Sequence, residues 1–206
     1  MTAAQVAMAR CEDERLVKPL GRIVNSGDRM ARMIDQLLDF TRLRVGDGIP
    51  IHPSPVELSG LLREVVDEIS ATNAGNGIRS EALGDTSGHW DADRLCQVFS
   101  NLLGNAVRHG AGQGLIQLRI DGTAADSVCV QVHNDGAISA DLLRRVFEPM
   151  MGGEHRRERS QGLGLGLFIS QEIAKAHGGM LRVESSSENG TMFTLTLPRS
   201  SEGEVR

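Results

Sequence analysis

Two stretches of this chain hold residues whose types and spacing could do chemistry. In Asn101-Leu102-Leu103-Gly104-Asn105-Ala106-Val107-Arg108-His109 the carboxamides of Asn101 and Asn105 stand four residues apart, so in a helix they share one face. An amide carbonyl is a hard oxygen ligand that suits Mg²⁺ without adding negative charge beside a polyphosphate. Arg108, three residues after Asn105, is close enough on that surface to reach a phosphate oxygen. The competing reading is a solvated polar face with two incidental asparagines. Asn is a poor mid-helix residue, so two of them flanking a Gly favour a functional reason.

The second stretch is Gly162-Leu163-Gly164-Leu165-Gly166-Leu167. Glycine runs also occur in linkers, so alone this one is weak. Its spacing is not that of a dinucleotide fingerprint, and no Lys-Ser or Lys-Thr comes after it to make a Walker loop. A helix pattern does come directly after it, and a helix start offers unpaired N–H groups and positive dipole to an anionic phosphate. Between the two stretches lies Val132-His133-Asn134-Asp135-Gly136-Ala137-Ile138, which would also make an ordinary Asn-Asp-Gly turn.

The elements that must position these residues can be read from periodicity. Residues 2–44 read as helical, with Met30, Met33, Ile34, Leu37, Leu38 and Leu43 at spacings of three and four. Leu16, Leu20 and Ile23 extend the stripe, Pro19 and the charged run Glu12-Asp13-Glu14-Arg15 predict a break, and Gly46-Asp47-Gly48 ends it. Such a stripe needs a partner: either the main domain, or, by preference, a dimerisation bundle. Further on, short strands are predicted over 49–52 and 78–83, and an amphipathic helix over 56–70. Asp91 is read as the N-cap of a helix reaching His109, ahead of Leu95, Val98, Leu102 and Ala106. Strands over 115–120 and 128–133, a short helix over 140–146 and a charged loop over 149–161 come next. A helix over 165–176 closed by Gly178-Gly179 and a hairpin of 180–185 with 192–197, turned at Glu188-Asn189-Gly190, complete the chain. The expected class is α/β: a two-layer α/β sandwich, its mixed sheet covered by helices on one face.

Composition narrows the function classes. The 206 residues carry a net charge of −5 with one Trp and no Tyr, so aliphatics and Met must build the core. No basic stripe is present, which argues against nucleic acid as the main partner. Cys11, Cys96 and Cys129 are odd in number, far apart and without metal-ligand spacing, as reduced cytosolic thiols would be. With no apolar run of transmembrane length and no signal peptide, the expected location is cytoplasmic.

In order and spacing the two motifs resemble the ATP-binding domain of bacterial sensor histidine kinases, the Bergerat-type (GHKL) nucleotide fold. Phe147-Glu148-Pro149 resembles the phenylalanine motif ahead of that family's nucleotide lid, and Gly190-Thr191-Met192-Phe193 its final glycine box. Arg29-Met30-Ala31-Arg32-Met33-Ile34-Asp35-Gln36-Leu37-Leu38-Asp39-Phe40 resembles the second helix of its dimerisation and phosphoacceptor hairpin. Singly the boxes are degenerate; four in the family's order are specific. The resemblance implies a helical segment over 1–46, an ATP-binding domain over 50–199 and a polar tail over 200–206.

It also implies ATP and Mg²⁺ as cofactors, with catalytic roles for Asn101, Asn105 and Arg108 and the metal on Asn105. The implied nucleotide contacts are Asn105, Arg108, His109, Asn134, Asp135, Gly136, Gly162, Leu163, Gly164, Leu165, Gly166 and Thr191. The family's adenine turn is Asp-x-Gly-x-Gly; here Asn134 stands in place of the Asp and the second Gly is missing, with Asp135 as an alternative acceptor. The lid would carry His155, Arg156, Arg157 and Arg159, which could screen phosphate or simply be solvated. Asn101 stands where hydrolysing relatives of the fold place a Glu. An amide cannot act as that base, so transfer to a protein His is favoured over hydrolysis.

No His precedes His52, and the start of the chain resembles the stretch just downstream of the family's acceptor His. The remaining histidines (His89, His109, His133, His155 and His177) lie in the wrong region to substitute. The expectation is a chain truncated just after its phosphoacceptor, without self-phosphorylation. Its partners would be a homodimer or intact kinase subunit through the N-terminal helix, and a response regulator receiver domain. Two alternatives stay open: a non-catalytic, ATP-responsive dimerising module that antagonises an intact kinase, and a serine-directed, anti-sigma-like member of the fold.

Overall fold

The computed structural model describes residues 14–72, 77–110, 114–150 and 163–200. Its first element, α1 (Glu14–Val45), runs unbroken through Pro19, contrary to the predicted break; residues 2–13 of the expected helix lie outside the described residues. The helix ends where expected, with Gly46 N–H bonded to Arg42 and Leu43 carbonyls and Asp47 N–H to Arg42. The elements β1 (Ser54–Glu57), α2 (Leu58–Thr72), β2 (Ile78–Gly84) and β3 (Ser87–Trp90) come after it. Next are α3 (Ala92–His109), β4 (Ile116–Gly122), β5 (Ser127–Asn134) and α4 (Ala140–Leu143). The chain finishes with α5 (Gly166–Ala176), β6 (Met180–Ser186) and β7 (Gly190–Pro198).

Five strands form one mixed sheet in the order β2-β4-β5-β7-β6, with β2 parallel to β4 and the remaining neighbours antiparallel. Alternation decides its faces. Ile116, Leu118 and Ile120 of β4, Val128, Val130 and Val132 of β5, and Phe193, Leu195 and Leu197 of β7 are buried. Against this face pack α3 and α5, with α2 beside α3 and in contact with β2. The other face carries cross-strand rows such as Arg119, Gln131, Thr194 and Arg182. The chain is therefore the two-layer α/β sandwich that its pattern predicted.

Two local expectations need correction. No strand forms over 49–52: the N–H of His52 bonds the Asp91 carboxylate at 2.8 Å instead of a neighbouring strand. The strand lies at β1, which pairs antiparallel with β3 in a separate two-stranded sheet. That partner, Ser-Gly-His-Trp, has no alternating apolar pattern, and tertiary contact alone makes it a strand. The helix predicted over 140–146 is only α4, whose end relaxes into turns closed by Arg145 N–H to Leu142 and Glu148 N–H to Arg145.

The C-terminal segment ties the sheet's far edge together. Trp90 Nε1 donates to Pro198 O at 2.7 Å, and the Arg199 guanidinium donates to the carbonyls of Ser87, Asp85 and Gly122 at 2.6, 2.6 and 2.7 Å. One cation thus satisfies carbonyls at the β2–β3 turn and at the end of β4.

Candidate functional site

Helix α3 begins as its sequence requires, with Asp91 accepting from Arg94 N–H. It buries Leu95, Val98, Phe99, Leu102, Leu103 and Ala106 against the sheet, which leaves Asn101 and Asn105 half-buried along its flank and Arg108 exposed. The flank faces α5. Asn101 Nδ2 lies 3.3 Å from Gly166 O and 3.3 Å from Ser170 Oγ, and a Cβ on Gly166 would come within 3.1 Å of Asn101 Oδ1. The other ends of the two helices are joined by His177, which is buried. Asp91 N–H donates to its Nε2 at 3.0 Å, which leaves Nδ1 to donate to Ile173 O at 2.8 Å. Two ties therefore set α5 against α3 at a fixed height.

The glycine run becomes the start of α5. Leu165 is buried in the core and Leu163 is exposed, so neither leucine side chain is a polar contact; Gly162 lies outside the described residues. Among the described residues no side chain caps α5, which leaves its first N–H groups without a side-chain partner there. Gly164 O accepts from Met150 N–H at 3.1 Å. That bond joins the two edges of the segment 151–162, which contains His155, Arg156, Arg157 and Arg159 and lies outside the described residues.

The turn after β5 is built onto the end of α3. A Cβ on Gly136 would stand 1.9 Å from His109 O, so only glycine permits this approach. Thr191, opposite Asn134 in the β5–β7 register and buried, donates to Gly136 O at 2.6 Å. Its hydroxyl lies 2.7 Å from Ser185 Oγ, which in turn accepts from Ile138 N–H at 2.8 Å. Asn134 is buried, with Nδ2 3.5 Å from Gly136 O, whereas Asp135 is exposed. Of the two candidate adenine acceptors, Asn134 is therefore the one set into the structure.

The side chains of Asn105 and Arg108 make no hydrogen bond or ion pair to another described residue, so their polar groups are available to a ligand. No cluster of three or more His, Cys, Asp or Glu that could hold a metal occurs among the described residues. A hard amide oxygen without a carboxylate cage fits Mg²⁺ arriving on phosphate, because that ion keeps waters and needs few protein ligands. Burial pushes the thiols of Cys96 and Cys129 up, which leaves both protonated and unreactive at neutral pH. A cleft of about 750 Å³ lined by His133, Glu184 and Met192 opens on the helix-free face and includes neither asparagine of α3.

The structure thus brings 101–109, 134–136, 163–166 and Thr191 to one end of the sheet. Sequence reasoning missed Ser170 and Ser185. A signal for the first existed: a Ser inside the apolar run Ile169, Ile173, Ala174, one turn after Gly166.

The family model for histidine kinase-, DNA gyrase B- and HSP90-like ATPases matches residues 90–201. The bacteriophytochrome of Pseudomonas aeruginosa is 35% identical over 197 residues, covering 93% of this chain and 26% of that protein. The chain thus spans about a quarter of that relative's length. Full-length ShkA, solved in complex with AMPPNP, superposes with a TM-score of 0.71 at 25% identity, covering 96% of this chain and 42% of that one. Histidine kinase ThkA, solved with the response regulator TrrA, gives a TM-score of 0.66 at 25% identity and covers 97% and 56%.

Proposed function

The chain belongs to the histidine kinase-, DNA gyrase B- and HSP90-like ATPase family, as a sensor histidine kinase catalytic core, and from that premise we propose that it binds Mg·ATP for phosphoryl transfer to a protein histidine. The observation that carries the reading is the convergence of an unspent Asn105 amide, an uncapped α5 and the Asn134 turn at one end of the sheet. Asn134 Oδ1 accepts from the adenine amino group. The first N–H groups of α5 and the Arg108 guanidinium would hold phosphate oxygens, and Asn105 Oδ1 would hold the metal. His109, Asp135, Gly136, Gly164 and Thr191 shape the pocket around them.

Mg²⁺ supplies charge neutralisation on the phosphates. The acceptor imidazole is its own nucleophile: its nitrogen forms the bond to γ-phosphorus as the bond to the ADP oxygen breaks. Asn101, an amide, withdraws no proton from water, which disfavours hydrolysis. The acceptor histidine would lie outside these residues, on a longer chain or a partner subunit, and a response regulator receiver domain, the partner seen with ThkA, would take the phosphoryl group from it. We assign 1–46 to dimerisation, 50–199 to nucleotide binding and 200–206 to a polar tail, with the cytoplasm as location. No helix among the described residues is long and apolar enough to cross a membrane.

Titration of a fluorescent ATP analogue with Mg²⁺ and with EDTA tests this. Saturable, Mg²⁺-dependent binding is expected, weakened about tenfold or more by Asn105→Ala. Binding by the variant equal to that of wild type, with the same dependence on Mg²⁺, would remove Asn105 from the metal site. A second reading is favoured by Asn134, an uncharged acceptor where the family has Asp: a nucleotide-responsive module that dimerises with an intact kinase without transferring phosphate. Incubating the chain and [γ-³²P]ATP with a separate histidine hairpin decides between them, because only the kinase labels the hairpin.

A further inference from the structure

Ser170 is fully buried, on the face of α5 that otherwise carries Ile169, Ile173 and Ala174. A buried hydroxyl is kept only with its hydrogen bonds made. Its Oγ is 2.9 Å from Gly166 O, one turn earlier, and 3.3 Å from Asn101 Nδ2 on α3. The directions of these bonds are forced. A carbonyl cannot donate, so the single hydroxyl proton goes to Gly166 O, and Oγ must accept from Asn101. The Asn101 NH₂ therefore faces α5, where its second proton reaches Gly166 O at 3.3 Å. Turned over, the amide would set Oδ1 against that same carbonyl, and Ser170 could bond it only by giving up its own bond to Gly166 O. The group also has little slack, because a Cβ on Gly166 would already stand 3.1 Å from Oδ1.

We propose that Ser170 is a positioning residue of the nucleotide site: by accepting from Nδ2 it fixes the orientation of the Asn101 carboxamide and holds the first turn of α5 at its distance from α3. Both protons of the amide are spent on α5, so Oδ1 is the atom left to face a metal-bound water or a phosphate-bound ion. The same bonds set the spacing between the N–H groups of α5 and the Asn105 amide, one turn along α3. Ser170 touches neither nucleotide nor metal and acts through Asn101. The inference rests on the nucleotide-binding proposal and deepens it.

A double-mutant cycle in the 206-residue chain tests it, with a fluorescent ATP analogue as probe, with Mg²⁺ and with EDTA. Ser170→Ala is expected to weaken Mg²⁺-dependent binding about 3- to 30-fold, and to have no further effect in an Asn101→Ala background. Additive losses, or unchanged binding by Ser170→Ala, would overturn the proposal. Thermal melting of each variant separates loss of binding from loss of fold. A second arm needs no nucleotide: the side-chain NH₂ protons of Asn101 exchange slowly with solvent by ¹⁵N NMR and lose that protection in Ser170→Ala. Unchanged exchange refutes the lock. A wild-type chain with a protected amide but no analogue binding defeats the nucleotide reading while leaving the lock measured in its own right.

Discussion

Glu57 is held as a carboxylate by the hydroxyls of Ser59 and Thr86 and by the N–H groups of Gly60 and Ser59, which lower its pKa from 4.5 to about 2. It stands directly before α2, whose free N–H groups it satisfies at 3.0 and 2.7 Å. Because the folded value is depressed, its contribution to stability is fully present above 4.5 and is lost as pH falls towards 2. Glu57→Gln should therefore melt lower than wild type at pH 7, and the two curves should converge as pH approaches 2; a gap that persists there would deny the carboxylate this role. At this scale the sequence was legible where a residue's chemistry is unusual for its place. Asn101 and Asn105 stood out as mid-helix amides, and Asp91 as a cap. Glu57 and Ser170 did not, because each acquires its distant partner, Thr86 or Asn101, only when separate segments meet.

Helix α1 is docked through a few residues near its end. Asp39, which is buried, accepts from Arg94 Nη1 at 2.8 Å and from Gln97 Nε2 at 3.2 Å on α3. Next to it, Phe40 meets Phe168, in the first turn of α5, edge to face at 6.0 Å, with the Arg44 guanidinium 5.9 Å above the Phe40 ring. The helix thus touches the same turn of α5 that Ser170 ties to α3. Removing one partner of a largely buried charge network strands the others, so Asp39→Ala should cost about 1–3 kcal/mol. Hydrogen–deuterium exchange should show the final turns of α1 opening while sheet amides stay protected; unchanged protection of α1 would mean the aromatic contact alone holds it. The helix itself was legible from its period, as was its end at Gly46. Its uninterrupted passage through Pro19 was not, because a proline's cost can be outweighed by the rest of a long helix.

At the scale of the molecule, α1 has two faces with different fates. Asp39, Phe40 and Leu43 turn towards the core, while Leu16, Ile23, Met30 and Leu37 recur every seven residues and remain exposed, joined by Ile34 at 58% exposure. A heptad stripe is the pattern of a helix seam, and water is a poor neighbour for it. Dimerisation through this helix, as proposed for 1–46, would cover it. Sedimentation velocity at micromolar concentration should show a dimer for the wild type and a monomer for Ile34→Glu, with the melting of the nucleotide domain little changed. A wild-type monomer would reject the seam.

Periodicity and turn chemistry alone specified the α/β class, the five strands of the main sheet and the helix carrying the two asparagines, since burial on one face leaves a period of 2 or 3.6 in the chain. The nucleotide motifs were legible for a related reason, their residue types being costly where they stand unless a ligand uses them. Tertiary structure alone decided which turn residue is buried, Asn134, and which is exposed, Asp135. It also made a strand of Ser87–Trp90, folded Arg199 onto the carbonyls of Asp85, Ser87 and Gly122, and set Ser170 against Asn101. Each of these depends on groups that are distant in the chain and adjacent in the fold, and a local pattern carries no record of a partner 69 residues away.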